Sequence, residues 1–208
     1  LEWYMVETDV GMMGGSGAHE YMAPCAAGEN EIALAPGFAA NVEVASAVAA
    51  PRASASPAPA PEPVSTPGQT TIEQVASGID AHPSTFLKAM PMVDDLDGTA
   101  VLVMIRGDHT LNEIKLQNAL GRPYRQGNDA EIGHKFNSVG GFTGPVGSDV
   151  RIVVDRACEG DPSGWVTGAN DVDLHLKGVE IGRDFNCEFA DVRNVVADDL
   201  TPAGDPIE

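Results

Sequence analysis

The chain has 208 residues, 43% of them hydrophobic and 21% charged, with 12 Lys and Arg against 31 Asp and Glu. That length supports one or two compact domains with a real core and excludes a disordered tail or a disulfide-built miniprotein. A formal charge of −19 argues against a protein that coats nucleic acid, because phosphate binding needs many neutralising Lys and Arg. It leaves room for a site that handles one end of a nucleic acid.

The chain opens on Leu1-Glu2-Trp3, without Met, as a piece cut from a longer protein would. Residues 2–10 read as a strand, 11–17 as a glycine loop, and 31–34 as a second short strand. Some 45 residues of this kind are too few for an independent core, so residues 1–48 are expected to be the edge of a larger domain. Residues 49–68, AAPRASASPAPAPEPVSTPG, offer no Ile, Leu or aromatic anchor and favour extended polyproline geometry, the pattern of a semi-rigid linker.

Regular signals follow. Thr70 to Glu73 forms a capping box that opens a helix through Ser77, stopped by Gly78. Residues 100–105 (AVLVMI) form an apolar run of strand length. Thr110 to Glu113 is a second capping box, and its helix ends at Gly121. Residues 150–155 (VRIVVD) read as another buried strand, and 174–181 alternate as a strand or hairpin arm. Strands interleaved with helices predict an α/β or α+β domain over residues 69–196, with an acidic tail, 197–208, returning to the first piece.

Three cysteines (25, 158 and 187) lack any CxxC pair, and five histidines lack HxxxH or HExxH spacing. No metal site or disulfide framework is therefore predicted, and the thiols read as reduced. No apolar run approaches a membrane span, and no signal peptide opens the chain. No G-x-S-x-G nucleophile elbow is present. The loop at residues 11–17 fits neither a P-loop nor a dinucleotide fingerprint. His19 and Glu20 would point to opposite faces of a strand.

Two motifs remain. Gly140-Gly141-Phe142-Thr143-Gly144-Pro145 can turn successive N–H groups into one concavity able to hold an oxyanion, or can be a plain turn. Gly168-Ala169-Asn170-Asp171-Val172-Asp173-Leu174-His175 can bring Asn170, Asp173 and His175 to one site, or form an Asx turn entering a strand. Arg106, Lys115, Arg122, Arg125 and Lys135, with His109 and His134, fall within thirty residues and could form a phosphate-facing patch or a solvated face.

In this order the pieces resemble bacterial prolyl-tRNA synthetases, of class II. Residues 7–22 (ETDVGMMGGSGAHEYM), with Gly28-Glu29-Asn30 and residues 39–43, are similar to the family's proline-pocket stretch, Ala18 standing where Ser is usual. Residues 69–196 resemble the family's inserted editing domain, of YbaK-like fold. The matching landmarks are Lys88, residues 106–116, Gly141 to Pro145, Asp155-Arg156, Gly168-Ala169-Asn170, His175 and residues 182–185.

The resemblance implies hydrolysis of mischarged Ala-tRNA(Pro) without a protein nucleophile. Backbone N–H groups of the loop made by Gly141, Phe142, Thr143, Gly144 and Pro145 would hold the ester carbonyl, and Lys88 would anchor the substrate. His175 would shape the amino-acid pocket and Asp155 would orient the α-amino group. Asn170, Arg106 and His109 would join the substrate site. His19 and Glu20 would serve proline only in a complete enzyme. That enzyme is expected to be a cytoplasmic homodimer that uses ATP and Mg2+ to attach proline to tRNA(Pro), its ATP motifs lying outside these residues. Editing itself would need no cofactor. A non-catalytic module that binds the tRNA acceptor end is the alternative.

Overall fold

A computed structural model describes residues 2–11, 17–197 and 199–208. Most of the glycine loop at 11–17 lies outside the described residues. The chain divides into two compact units, one built from residues 1–51 and 193–208, the other from 52–192.

In the first unit β1 (Tyr4–Thr8), β2 (Ala18–Met22), β3 (Ile32–Ala35) and β4 (Phe38–Asn41) form a sheet of order β2-β1-β4-β3. Ala33, Ala40 and Ala45 pack with Val195 and Ile207, so the C-terminal stretch completes this small core. His19 and Glu20 sit in β2 opposite Glu7 and Val6 of β1, both exposed and on opposite faces of the strand.

In the second unit the segment before the first helix is not a free linker. Its strand β5 (Glu62–Ser65) lies antiparallel to β11 (Leu174–Val179). Arg52 lies 3.9 Å over the Trp165 ring and donates to Asp161 and to the Ser163 carbonyl. The small side chains are the reason the segment can dock. Ala55 and Ala58 lie where β-carbons on Gly164 and Gly178 would stand, so residues without bulk meet positions without a side chain.

Helix α1 (Ile72–Gly78) is capped by Thr71 with Gln74, one residue later than the predicted Thr70–Glu73 box. Strand β6 (Leu87–Asp94) pairs with β7 (Ala100–Arg106), and helix α2 (Glu113–Leu120) starts from Asn112, whose side chain accepts from Lys115 N. The expected Thr110 cap is thus two residues early. Gly121, at φ +72°, closes α2 in the left-handed conformation that glycine tolerates. Strand β8 (Tyr124–Gln126), helix α3 (Asp129–Phe136), β9 (Arg151–Asp155), β10 (Trp165–Gly168), β11 and β12 (Glu188–Ala190) complete the unit.

Five strands form a mixed sheet, β12-β9-β7-β6-β8, parallel from β12 to β7 and antiparallel beyond. Its centre, β7, is buried on both faces, which explains its unbroken apolar run. Leu102 and Met104 enter a core with Trp165, Val179 and Phe136 on one side. Val101, Val103 and Ile105 meet Leu116 of α2 on the other. The smaller sheet, β10-β11-β5, supplies Trp165 and Val179 to the first of these cores. Among the described residues no helix is long and apolar enough to cross a membrane.

Candidate functional site

A cleft of about 430 Å³ opens in the second unit, between α1, β6, the start of α3, the glycine loop of residues 140–145 and the β10–β11 pair. Lys88, Gly141, Thr143 and His175 line it together, although 87 residues separate the first from the last.

Lys88 is carried on β6, half-buried, and its Nζ donates to the His109 carbonyl at 2.7 Å. An ammonium has three donors, and this one bond leaves two for a ligand. Burial draws the Lys88 pKa below its ordinary value, while Glu73 and Asp108 pull it back up. His175 stands on β11 with its Nδ1 2.7 Å from Thr66 Oγ1, and the edge of Phe142 packs on it at 5.6 Å between ring centres. Burial lowers its pKa, so it is a neutral wall of the cleft.

The glycine loop follows α3 and is held from below by the Gly168-Ala169-Asn170 turn. Asn170, at φ +63°, accepts from Gly144 N at 2.8 Å and donates through Nδ2 to the Val146 carbonyl at 3.0 Å. Its own N–H reaches the Phe142 carbonyl at 2.8 Å. Gly168 passes so close that a β-carbon there would fall on the Phe142 and Thr143 carbonyls, and one on Gly144 would fall on the Gly168 carbonyl. Two glycines are thus required by contact, not by flexibility.

This scaffold revises the expected oxyanion donors. Phe142 N–H is bonded to the Val139 carbonyl and Gly144 N–H to Asn170, both buried, and Pro145 has no N–H. Among the described residues no hydrogen bond engages the N–H of Gly141 or Thr143, and both residues line the cleft. The Thr143 hydroxyl is occupied by Ser138 Oγ and the Val139 carbonyl, which fits a positioning role better than a nucleophile's.

Four further expectations are corrected. Asp155 is buried away from the cleft lining, where its carboxylate accepts from Ala157 N and Val192 N, both at 2.9 Å. It caps a 3₁₀ turn and ties down the chain end of the unit. Asn170 holds the loop and does not line the cleft. Arg106 is buried against Asp108. His109 is buried and contributes its backbone carbonyl to Lys88, with its ring outside the cleft lining.

The basic cluster is likewise not a phosphate-facing patch. Arg106 pairs with Asp108, Lys115 with Asp191, Arg122 with Asp94 and Asp97, and Arg125 with Asp95 and Glu131. Lys135 donates to the Gly98 carbonyl. The abundant carboxylates neutralise it locally.

Among the lining residues that were not anticipated, three bear on the chemistry. Glu73 opens α1, Asp129 opens α3, and Thr167 on β10 has a buried hydroxyl without a hydrogen-bond partner among the described residues. The Asn128-Asp129-Ala130-Glu131 capping box that fixes α3 is legible by the rule that found the other two helices. No three His, Cys, Asp or Glu side chains converge as a metal site requires, among the described residues.

Comparison with known proteins gives this cleft a context. Residues 66–183 match the profile of the aminoacyl-tRNA editing domain. The chain is 42% identical over 206 residues to the proline-tRNA ligase of Geotalea daltonii, covering 97% of the chain and 36% of that protein. The proline-tRNA ligase of Geobacter sulfurreducens is also 42% identical, with 97% and 35% covered. The chain therefore spans about a third of the length of these relatives. A crystal structure described as a candidate trans-editing enzyme for prolyl-tRNA synthetase shares the fold with a TM-score of 0.56 at 19% identity, over 65% of this chain and 87% of that one.

Proposed function

The chain belongs to the family of aminoacyl-tRNA editing domains, and from that premise we propose that its cleft hydrolyses the ester of Ala-tRNA(Pro). The observation that carries this reading is the convergence of Lys88, His175 and two loop residues with unengaged N–H groups, Gly141 and Thr143, on one concavity.

The chemistry is ester hydrolysis. A water oxygen attacks the aminoacyl carbonyl carbon, and the carbonyl oxygen takes up negative charge. Gly141 and Thr143 N–H groups would bond that oxygen, the arrangement that stabilises a tetrahedral oxyanion. The C–O bond to the terminal ribose then breaks, the ribose oxygen takes a proton, and free alanine and deacylated tRNA leave. The neighbouring ribose hydroxyl orients the water. Lys88, fixed by the His109 carbonyl, would hold the terminal phosphate or ester oxygen. His175, clamped by Thr66 and Phe142, would bound the amino-acid pocket and exclude larger side chains.

Alanine is the expected substrate because a synthetic pocket built for proline rejects a smaller amino acid by only about 1–3 kcal/mol per methylene. Attachment of proline, with ATP and Mg2+, homodimer formation and a cytoplasmic setting would belong to a full-length ligase like the relatives. His19 and Glu20 would take part only there.

The test is release of alanine from Ala-tRNA(Pro) by the chain, wild type beside Lys88→Ala and Gly141→Val. Gly141 sits at φ +85° with Thr70 against the place of a β-carbon, so Val there displaces the donor. Both variants should deacylate at least about 100-fold more slowly, the loss expected for one oxyanion donor. A Lys88→Ala protein with wild-type rate would remove this cleft from the reaction.

A further inference from the structure

An aminoacyl ester carries an α-ammonium one carbon from the reacting carbonyl, and that cation needs a counter-charge in the cleft. Asp155 cannot provide it: its two oxygens are occupied by Ala157 N and Val192 N, and it is fully buried outside the cleft. Two carboxylates do line the cleft, Glu73 and Asp129. Glu73 sits in the first turn of α1, where its own N–H, the Thr71 hydroxyl and the Lys88 charge lower its pKa.

Asp129 differs in position and in freedom. A β-carbon built on Gly140 would lie 3.4 Å from Asp129 Oδ1, so this carboxylate stands over the start of the glycine loop, one residue before the Gly141 N–H. The nearby cations are engaged elsewhere, Arg125 by Asp95 and Glu131, and Lys135 by the Gly98 carbonyl. No hydrogen bond or ion pair holds the Asp129 carboxylate among the described residues, and the helix cap is made by Asn128 and Glu131 without it.

We propose that Asp129 binds the α-ammonium of the aminoacyl ester and so makes the site selective for amino-acid over hydroxy-acid esters. The inference rests on the editing reading and names the residue that recognises its substrate's charge. An ester whose carbonyl oxygen is held by Gly141 and Thr143 has its α-carbon beside that loop, and the carboxylate over Gly140 is the one placed to meet the substituent there. Asp129 is exposed in the free chain, and its contact with the ammonium of a bound ester is a charge-assisted hydrogen bond, among the stronger polar contacts.

The test compares alanyl-tRNA(Pro) with lactyl-tRNA(Pro), in which hydroxyl replaces the ammonium, for the wild-type chain, Asp129→Asn and Asp129→Glu. Each rate is divided by the spontaneous rate of the same ester. Wild type should favour the alanyl ester; Asp129→Asn should lose roughly 10- to 100-fold on it, the size of a hydrogen bond to a charged group, with the lactyl rate unchanged. Asp129→Glu should recover part of the loss. Equal losses on both esters, or no loss on either, would overturn the assignment.

A binding arm separates this inference from the hydrolysis it rests on. It uses the non-hydrolysable 3′-alanylamido and 3′-lactylamido analogues of adenosine. If wild type hydrolyses neither ester yet prefers the alanylamide, and Asp129→Asn abolishes that preference, the ammonium site stands and hydrolysis falls. An absence of preference in wild type overturns the ammonium site.

Discussion

Asn170 separates a substrate contact from a scaffold. Replacing it with Ala removes the acceptor for Gly144 N–H and the donor to the Val146 carbonyl. Gly144 is buried, so its N–H is left without a partner, at a cost of about 1–3 kcal/mol. The second bond adds about 1 kcal/mol, and an Ala at φ +63° adds about 1 kcal/mol of backbone strain that Asn tolerates better. The sum is about 3–5 kcal/mol. For a chain of this size that corresponds to a fall in Tm of roughly 6–20 °C.

Asn170→Gly removes the same side chain without the strain, so it should be less damaged than Asn170→Ala by about 1 kcal/mol. Thermal and urea unfolding of the three proteins measure these differences. Deacylation at a temperature where all are folded reads the loop itself, and both variants should be slow because Gly141 and Thr143 lose their support. A variant that unfolds like wild type but deacylates poorly would refute this reasoning, since it would place Asn170 on the substrate.

His175 resists protonation in the folded chain because it is buried. Its contribution to stability is complete above the ordinary histidine pKa and is lost as pH falls from there through the lowered value of the folded chain. The Tm of wild type should therefore drop more steeply from pH 7.5 to 5.5 than that of His175→Asn, and parallel profiles would contradict the assignment. Thr167→Val replaces a buried hydroxyl that has no hydrogen-bond partner among the described residues, so stability should hold or rise by about 1 kcal/mol; a clear loss in urea unfolding would show that the hydroxyl is bonded. Arg52→Ala removes the bonds to Asp161 and Ser163 and the stack on Trp165, a loss of about 2–3 kcal/mol. Limited proteolysis should then cut within residues 53–61, and a fragment pattern identical to wild type would count against the docking.

Legibility in the sequence followed the range of each interaction. Strands β7 and β9 were plain because both faces are buried and their apolar runs are unbroken. Strand β6 was hidden by Pro91, whose missing N–H is tolerated because it faces the side where pairing with β8 has ended. Helices α1 and α2 were legible from caps, their starts shifted by one and two residues because neighbouring Thr and Asn side chains compete for the same role, whereas α3 was missed although Asn128 and Glu131 form its capping box.

The residue types of the cleft were legible through family resemblance, and Lys88, Gly141, Thr143 and His175 do meet. Their division of labour was not. Which loop N–H groups are free depends on Asn170, 26 residues away, and the loss of Asp155 from the site depends on Val192. The segment at 49–68 misled because composition measures what a stretch can bury by itself. Its order comes from Arg52 on Trp165 and from β5 on β11, contacts that no local pattern encodes.

The most direct test of the account is the rate at which the chain deacylates Ala-tRNA(Pro) and Pro-tRNA(Pro), measured for wild type and Lys88→Ala in parallel. The account predicts rapid loss of alanine, slow loss of proline, and no acceleration of either by the variant. Equal wild-type rates on the two esters would contradict a pocket bounded by His175, and alanine release undiminished in Lys88→Ala would contradict the site as a whole.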